Sequence, residues 1–279
     1  MAQQHGLPEI VASLLVSRGI QPDEAPGYLE PRLKDLLPDP SRFADMDKTA
    51  ALVAACVQQH KPIAIFGDYD VDGATSSALL VRYLEAAGGI ASYYIPDRMV
   101  EGYGPNITAL RKLHADGAAL ILTVDCGISA FDVLDTAADE GINVAVIDHH
   151  LAESRLPRAA AIVNPNRTDC ASGHGYLAAV GVAFLLAVAV NRDLKAAGWF
   201  RDRKPPDLLG LLDIVALGTV CDVVPLVGLN RALVAQGLKV MGKRQSLGMP
   251  TLSDVARVHG PPGHYHDRFL RGPPVNSRG

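Results

Sequence analysis

Residues 63–73 read IAIFGDYDVDG, an apolar run that ends in three aspartates at alternate positions. The run 63–66 is typical of a short buried strand, and residues 74–87 have the composition of a helix. Asp68, Asp70 and Asp72 would therefore share one turn between a strand and a helix, where their like charges repel. The turn needs a cation or another partner for its charges.

The alternation of strand and helix continues along the chain. Further apolar runs occur at 90–95, 120–124, 144–147 and 161–163, and segments of helical composition occur at 106–115 and 129–140. This pattern predicts an α/β fold with a parallel β-sheet that is buried on both faces and flanked by helices. The apolar segments 176–196 and 207–218 are predicted to be core helices that close the domain.

The two ends of the chain differ from this central part. Residues 1–60 are broken by prolines into short pieces, which predicts a helical N-terminal extension. The main domain is predicted over residues 61–250. Residues 251–279 contain eight Gly or Pro residues, which predicts an irregular C-terminal tail, either a linker or the truncated remnant of a further segment.

Composition limits the classes of function. Hydrophobic residues make up 48% of the 279-residue chain, which argues against disorder. No apolar stretch approaches the ~20 residues of a membrane helix, and a cytoplasmic protein without membrane contact is expected. The four cysteines are widely separated, which argues against a disulfide framework or a zinc knuckle. Because the net charge is −4, attraction to nucleic acid would have to come from a local patch or from bound metal.

Further acidic and imidazole side chains follow the other predicted strands. Asp125 follows the run 120–124, and Asp148, His149 and His150 follow the run 144–147. Because ligands gather at the carboxyl ends of parallel strands, we expect these side chains to meet the three aspartates at one edge of the sheet, where Asp222 could join them. Oxygen and imidazole ligands suit Mn²⁺ or Mg²⁺, and so many of them favour two ions.

Two other interpretations compete with a two-metal site. An EF-hand loop would require a glutamate at the twelfth position counted from Asp68, and that position is Leu79. Asp72 or Asp125, taken alone, could simply cap the helix that follows. Capping does not account for the whole set with its histidine pair.

Four segments carry a resemblance to a known family. GDYDVDG (67–73), VDCG (124–127), IDHH (147–150) and GTVCDVVPL (218–226) resemble the successive motifs of the DHH phosphoesterase superfamily. YLEPRLKDLLPDP (28–40) and IPDRMVEGYGPN (95–106) resemble the RecJ-type single-strand-specific exonucleases within it. The resemblance extends from about residue 8 to the end of the chain.

The resemblance implies a role for each residue of the set. Asp70 would bind one ion and Asp72 the other, and Asp125 would bridge the two. His149 and Asp222 would complete the shell of the second ion. Asp68 lies near the position of a metal-binding histidine in the related manganese pyrophosphatases. In the third motif, Asp148 would orient neighbouring groups, and His150 would face the scissile phosphate.

The activity implied by the resemblance is two-metal hydrolysis of single-stranded DNA from the 5′ end, in repair and recombination. Arg98, just after the second strand, is a candidate phosphate contact, or else an ordinary solvated arginine. Tyr103 could stack on a base or pack within its turn. Single-strand-binding or replication proteins are suggested as partners, and the oligomeric state is left open.

Two other functions stay open at this point. RecJ-type chains are about twice as long and carry a DHHA1 domain, an oligonucleotide-binding fold and a GPRINAGGR-like motif where this chain ends in GPPVNSRG. We therefore expect a truncated catalytic part. It could act on a small substrate such as an oligoribonucleotide, a cyclic dinucleotide or pyrophosphate, or serve as a catalytically silent scaffold.

Overall fold

A five-stranded parallel sheet forms the centre of the computed structural model, which describes residues 1–243, 248–255, 257, 263 and 266–276. The spatial order of the strands is β2-β1-β3-β4-β5. The strands are β1 (Pro62–Gly67), β2 (Ile90–Tyr94), β3 (Leu120–Val124), β4 (Val144–Ile147) and β5 (Ala161–Val163). The predicted α/β fold with a parallel sheet is confirmed, and three strands have the predicted bounds.

Helices precede, connect and follow the strands. They are α1 (Ala2–His5), α2 (Glu9–Ser17), α3 (Ala25–Leu29), α4 (Leu33–Leu36), α5 (Met46–Gln58), α6 (Val71–Ala86), α7 (Ile107–Ala115), α8 (Phe131–Asp139), α9 (Ala179–Ala196), α10 (Leu212–Cys221), α11 (Gly228–Gly242), α12 (Gly248–Val255) and α13 (Gly272–Asn276). Short 3₁₀ turns occur at Pro40–Arg42 and Leu209–Leu211.

Two hydrophobic clusters cover the two faces of the sheet. On one face, α7 and α8 pack against β1 and β3 through side chains such as Leu110, Leu134 and Phe66. On the other face, α5, α6 and α9 form the larger cluster, which includes Phe184 and Leu80. The sheet therefore lies between two helical layers, and only its edges and strand ends are open to ligands.

The prediction that the sheet is buried on both faces is wrong for β2. The other strands are buried almost throughout, whereas Ile90 and Tyr93 of β2 are 49% and 68% exposed. β2 is an edge strand with β1 as its one partner, whereas the opposite edge strand, β5, is covered by α5. An apolar run reveals a strand but not its place in the strand order.

The C-terminal tail also differs from its prediction. Its described part contains α13 and a π-helical turn at Asp267–Arg271, which packs against α10. A buried ion pair between Arg271 and Asp267 lies within this turn. Residues 251–255 of the predicted tail belong to α12, while 256, 258–262, 264–265 and 277–279 lie outside the described residues. In the described part of the chain, no helix combines the length and the apolar character needed to span a bilayer.

Candidate metal centre

The acidic segments meet at the carboxyl edge of the sheet, as predicted. The backbone N–H of Asp68 donates to Val124 O at 3.2 Å, and that of Asp125 donates to Ile147 O at 3.0 Å. Asp148 donates in the same way to Val163 O at 3.0 Å. Each residue thus extends the hydrogen-bond ladder by one step beyond its strand, and the sheet itself fixes the spacing of the side chains.

Tight packing explains the glycines in two of the motifs. A Cβ atom on Gly73 would lie 2.4 Å from Asp68 O, so the turn after β1 can close only around a glycine. A Cβ atom on Gly218 would lie 2.2 Å from Thr75 Oγ1 and 3.2 Å from Asp72 Oδ1. Gly218 therefore allows α10 to approach α6 and brings Asp222, at the end of α10, to the cluster.

Six side chains form what we call the carboxylate cluster: Asp68, Asp70, Asp72, Asp125, His149 and Asp222. They fall into two sets of three, each with ligand atoms within 4.8 Å of one another. One set is Asp68, Asp70 and Asp125, and the other is Asp72, His149 and Asp222. His149 Nε2 lies 3.3 Å from Asp125 Oδ1, so Asp125 lies between the two sets.

Contacts around the cluster leave several ligand atoms unpaired. Among the described residues, Asp68 Oδ1, Asp125 Oδ1, His149 Nε2 and Asp222 Oδ2 are buried and have no hydrogen-bond partner. Unpaired buried polar atoms are rare because each costs about 1–3 kcal/mol. The donor set of carboxylate oxygens and one imidazole nitrogen is suited to Mn²⁺ or Mg²⁺, and a cation would satisfy all four atoms.

The tautomer of His149 is fixed by the segment that leads into α9. His149 Nδ1 lies 2.9 Å from Leu177 O, and because a carbonyl only accepts, Nδ1 carries the proton. In the neutral imidazole, Nε2 then presents a lone pair to Asp125 Oδ1, and also to Asp222 Oδ2 at 3.7 Å. Lone pairs that face one another repel unless a cation lies between them, so this orientation is that of a metal ligand.

Asp72 is held by the N-terminus of the same helix. Ala179 N and Val180 N donate to its two carboxylate oxygens at 2.6 and 2.9 Å. Asp72 therefore binds the N-terminus of α9, a helix more than a hundred residues away, while facing the cluster, and it does not cap the helix that follows it. Asp70 caps α6 locally, where Gly73 N donates to its Oδ1 at 2.9 Å.

Burial and like charge make the cluster difficult to ionise without cations. Burial, together with the charges of Asp70 and Asp148, raises the pKa of Asp68 to about 6. Burial first and the neighbouring carboxylates second raise the pKa of Asp72 and Asp125 as well. Burial also raises the pKa of Asp222, although the charge of His149 works in the opposite direction. Asp125 also has a positive φ of 61°, a conformation that costs a non-glycine residue about 1–3 kcal/mol and recurs at functional sites.

Asp148 is separate from the cluster. It is fully buried, and it accepts hydrogen bonds from Ile128 N, His149 N, His150 N and the His150 ring. Burial raises its pKa, but the hydrogen bonds and charge of His150 outweigh this and hold the pKa below its usual value. With both oxygens engaged inside the protein, Asp148 is placed to orient the loop after β4 rather than to touch a substrate.

The predicted substrate-binding residues lie on a more exposed group, which we call the aromatic rim: Tyr69, Arg98, Tyr103 and His150. Tyr103 is 54% exposed, and its hydroxyl donates to Asp125 O at 3.3 Å. Its ring centre lies 6.2 Å from that of His150 and 6.4 Å from that of Tyr69. Arg98 stacks on Tyr69 at 5.1 Å, so the rim is continuous from His150 to Arg98.

His150 connects the rim to the cluster. Its side chain is 46% exposed, and its Nδ1 donates to Asp148 Oδ1 at 2.7 Å. This hydrogen bond raises the pKa of His150, although its partial burial works in the opposite direction. A half-exposed imidazole beside the cluster is in a position to contact a phosphate.

Sequence analysis missed the loop that supports the two histidines. Asn164 Nδ2 donates to His150 O at 2.9 Å, and Asn166 Nδ2 donates to His149 O and to Gly175 O. Arg167 anchors this loop through Asp45 and Asp169. The local signal was the sequence Asn-Pro-Asn directly after β5, which is typical of a turn and gives no indication of its distant contacts.

Comparisons with known proteins agree with this geometry. The family model described as "DHH family, N-terminal domain" matches residues 62–219. A single-stranded-DNA-specific exonuclease RecJ from Dickeya dadantii (strain 3937) is 39% identical over 278 residues, which are 98% of this chain and 48% of that protein. The chain thus spans about half the length of the curated relatives it matches.

Two solved structures resemble the fold closely. The crystal structure of exonuclease RecJ bound to manganese matches with a TM-score of 0.73 and 34% identity, over 87% of this chain and 58% of the other. RecJ from Thermus thermophilus in complex with Mn²⁺ also matches with a TM-score of 0.73, at 32% identity, over 93% of this chain and 35% of the other.

Proposed function

The chain belongs to the DHH family, and from this premise we propose that it is a metal-dependent phosphodiesterase that removes nucleotides from single-stranded DNA. Relatives named single-stranded-DNA-specific exonucleases support the substrate, and manganese-bound neighbours support the cofactor. Digestion from the 5′ end, a role in repair and recombination, and a cytoplasmic location are part of the same proposal. Single-strand-binding or replication proteins are its proposed protein partners.

The observation that carries the proposal is the set of unpaired buried acceptors. Asp125 Oδ1 and His149 Nε2 face each other at 3.3 Å without a donor between them. Asp68, Asp70 and Asp125 would hold one Mn²⁺ or Mg²⁺ ion, and Asp72, His149 and Asp222 the other, with Asp125 shared. When bound, the two ions would supply a nucleophile from water and neutralise the charge that builds up on the phosphate oxygens.

The side chains outside the cluster would hold the substrate. His150 would contact the scissile phosphate, with Asp148 fixing the orientation of its ring. Arg98 would contact a neighbouring phosphate, and Tyr103 would stack on the terminal base. The rim would accept unpaired bases, whereas the phosphates of an intact duplex end would not reach the buried aspartates below it.

Product analysis tests this proposal. Labelled single-stranded DNA, a matched duplex, an oligoribonucleotide and a cyclic dinucleotide would be incubated with the 279-residue chain in Mn²⁺. We expect mononucleotides from single-stranded DNA and resistance of the duplex. Cleavage of the small phosphodiesters alone would replace the proposed substrate, and cleavage of none of them would indicate a silent scaffold.

A further inference from the structure

A second surface with the chemistry of nucleic-acid binding lies at the amino edge of the sheet. We call it the tryptophan patch: His60, Lys61, Trp199, Arg201, Arg203 and Lys204. The Arg203 guanidinium carbon lies 3.9 Å from the centre of the Trp199 ring, and the His60 ring lies 5.8 Å from it. Trp199 Nε1 donates to Ala87 O just before β2, which fixes the ring at this edge.

The basic side chains of the patch are not neutralised. Elsewhere on the surface, Arg111, Arg155 and Arg158 each form an ion pair with a carboxylate. Within the described part of the chain, no ion pair involves Arg201 or Arg203, although both are exposed. Asp202 is the only acidic residue between positions 195 and 204, where four residues are basic. A chain of net charge −4 therefore carries a local positive surface opposite its metal centre.

The exposed edge strand joins this patch to the aromatic rim. Tyr93 of β2 is 68% exposed and pairs in register with Ile65, which packs in the same hydrophobic cluster as Trp199. Tyr93 and Trp199 thus lie on the same side of the sheet. The five residues of β2 span about 16 Å and lie between Ala87 at the patch and the loop that carries Arg98. The path therefore runs from the basic patch around the half-buried Trp199, past the exposed Tyr93, to Arg98.

We propose that a single DNA strand held at the metal centre continues along the β2 edge to the tryptophan patch. This inference rests on the proposed function. Tyr93 and Trp199 would stack on bases, while Arg201 and Arg203 would contact phosphates. Aromatic groups that stack on bases and cationic groups that track the phosphates are how proteins hold single strands without reading their sequence.

The fluorescence of Trp199 reports on the patch directly, because it is the only tryptophan in the chain. Oligothymidylates of about 3 and about 15 nucleotides, which bracket the site size of one binding fold, would be made with hydrolysis-resistant phosphorothioate linkages and titrated into the Mn²⁺-loaded chain. We expect the longer strand to quench the fluorescence of Trp199 and to bind at least about tenfold more tightly. The trimer should leave the fluorescence unchanged, because it does not reach the patch.

A pair of charge-swap variants makes the test specific. Arg201→Glu with Arg203→Glu should weaken binding of the longer strand by about tenfold. The slope of the logarithm of the binding constant against the logarithm of salt concentration should become shallower by about 1.4, since each phosphate contact contributes about 0.7 on a single strand. Arg42→Glu with Lys48→Glu changes the net charge equally at exposed positions beside α5, which packs against β5 at the sheet edge opposite β2. If the two variants weaken binding equally, the attraction is non-specific and the path is wrong.

Hydrolysis of the trimer in Mn²⁺ separates this inference from the proposed function. The Arg201→Glu, Arg203→Glu variant should cleave the trimer at the wild-type rate and the longer strand more slowly. Equal cleavage of both lengths by wild type, with unquenched Trp199, would overturn the path and leave the function intact. Cleavage of neither length would overturn both.

Discussion

At the carboxyl edge of the sheet, Asp125 and His149 are buried with acceptor atoms that meet no donor in the described structure. At the amino edge, Trp199 and Arg203 already have their contacts, and the charge of Arg203 faces solvent. The first arrangement costs free energy until a cation enters, because buried like charges repel. The second costs little, because an exposed guanidinium stays hydrated. Removing what binds at each edge, metal ions at the carboxyl edge and DNA at the amino edge, should therefore lower stability at the carboxyl edge only.

The largest difference between the edges is expected for the bridging carboxylate. Asp125→Asn should lower turnover by about a thousandfold, which corresponds to about 4 kcal/mol of transition-state stabilisation. The metal-free variant should be at least as stable as the wild type, because one buried negative charge is removed. Single-turnover assays in Mn²⁺ and thermal melts in EDTA measure the two effects.

Asp116→Asn is the matched control, because Asp116 is exposed and lies at the opposite edge, between α7 and β3. It should behave as the wild type in both assays. If Asp125→Asn keeps more than about a tenth of the wild-type rate, the bridging assignment is wrong.

Removal of metal should destabilise the protein in a way that depends on pH. Binding to the native state alone adds about 2.7 kcal/mol at a hundredfold excess of Mn²⁺ over Kd. In EDTA, the folded pKa of Asp68 is raised to about 6, above its unfolded value, and the pKa values of Asp72 and Asp125 are raised too. The folded state then binds more protons than the unfolded state, so the metal-free protein should gain stability as the pH falls from about 7.5 to about 5.5.

Urea unfolding at several pH values, with Mn²⁺ and with EDTA, measures this dependence. The difference in the free energy of unfolding between the Mn²⁺-bound and the metal-free protein should decrease as the pH falls, because protons then neutralise the carboxylates in place of the cations. Equal stability of the two forms at about pH 7.5 would show that the buried acceptors hold no ion.

Local sequence patterns predict the strands and the family, but not every contact at the two edges. The runs 120–124, 144–147 and 161–163 were predicted with their observed bounds, because a buried parallel strand is a local apolar pattern. The family resemblance is confirmed by the model that matches residues 62–219. The ligand roles stay predictions, although the structure brings all six proposed ligands together.

Contacts between distant segments escaped prediction. Leu177, Ala179 and Asn166 act on the cluster through a backbone carbonyl, a backbone amide and a side-chain amide, and none of these has a sequence signature. The exposure of β2 depends on which edge strand the helices cover, and its composition does not encode this. The helical segments of the tail were missed because Gly-Pro-Pro triplets dominate its composition, whereas packing against α10 decides its conformation.

The supporting loop should have an intermediate effect. Asn166→Ala removes the hydrogen bonds to His149 O and Gly175 O, so the imidazole loses part of its orientation. We expect the Mn²⁺ concentration for half-maximal activity to rise by about tenfold or more, with kcat at saturating metal less affected. Asn143→Ala, on an exposed asparagine at the amino end of β4, is the control. An unchanged Mn²⁺ dependence in Asn166→Ala would mean that the loop does not position His149.

The smallest effect is expected at the amino edge. Arg201→Glu with Arg203→Glu should change the free energy of unfolding by no more than about 0.5 kcal/mol, with or without Mn²⁺, because both side chains are exposed. Urea unfolding of the variant and of the wild type, with and without Mn²⁺, measures this difference in the free energy of unfolding. A loss of more than about 2 kcal/mol would show that the patch supports the fold, and the contrast between the two edges would fail.

The number of Mn²⁺ ions bound per chain tests the central claim most directly. Calorimetric titration, supported by electron paramagnetic resonance of the bound metal, should give two ions for the wild type, with the spin coupling of a close pair about 3.5–4 Å apart. Asp72→Asn should lose the ion held by Asp72, His149 and Asp222 and keep the one held by Asp68, Asp70 and Asp125. A wild type that binds a single uncoupled ion, or none, would contradict the account of the carboxylate cluster.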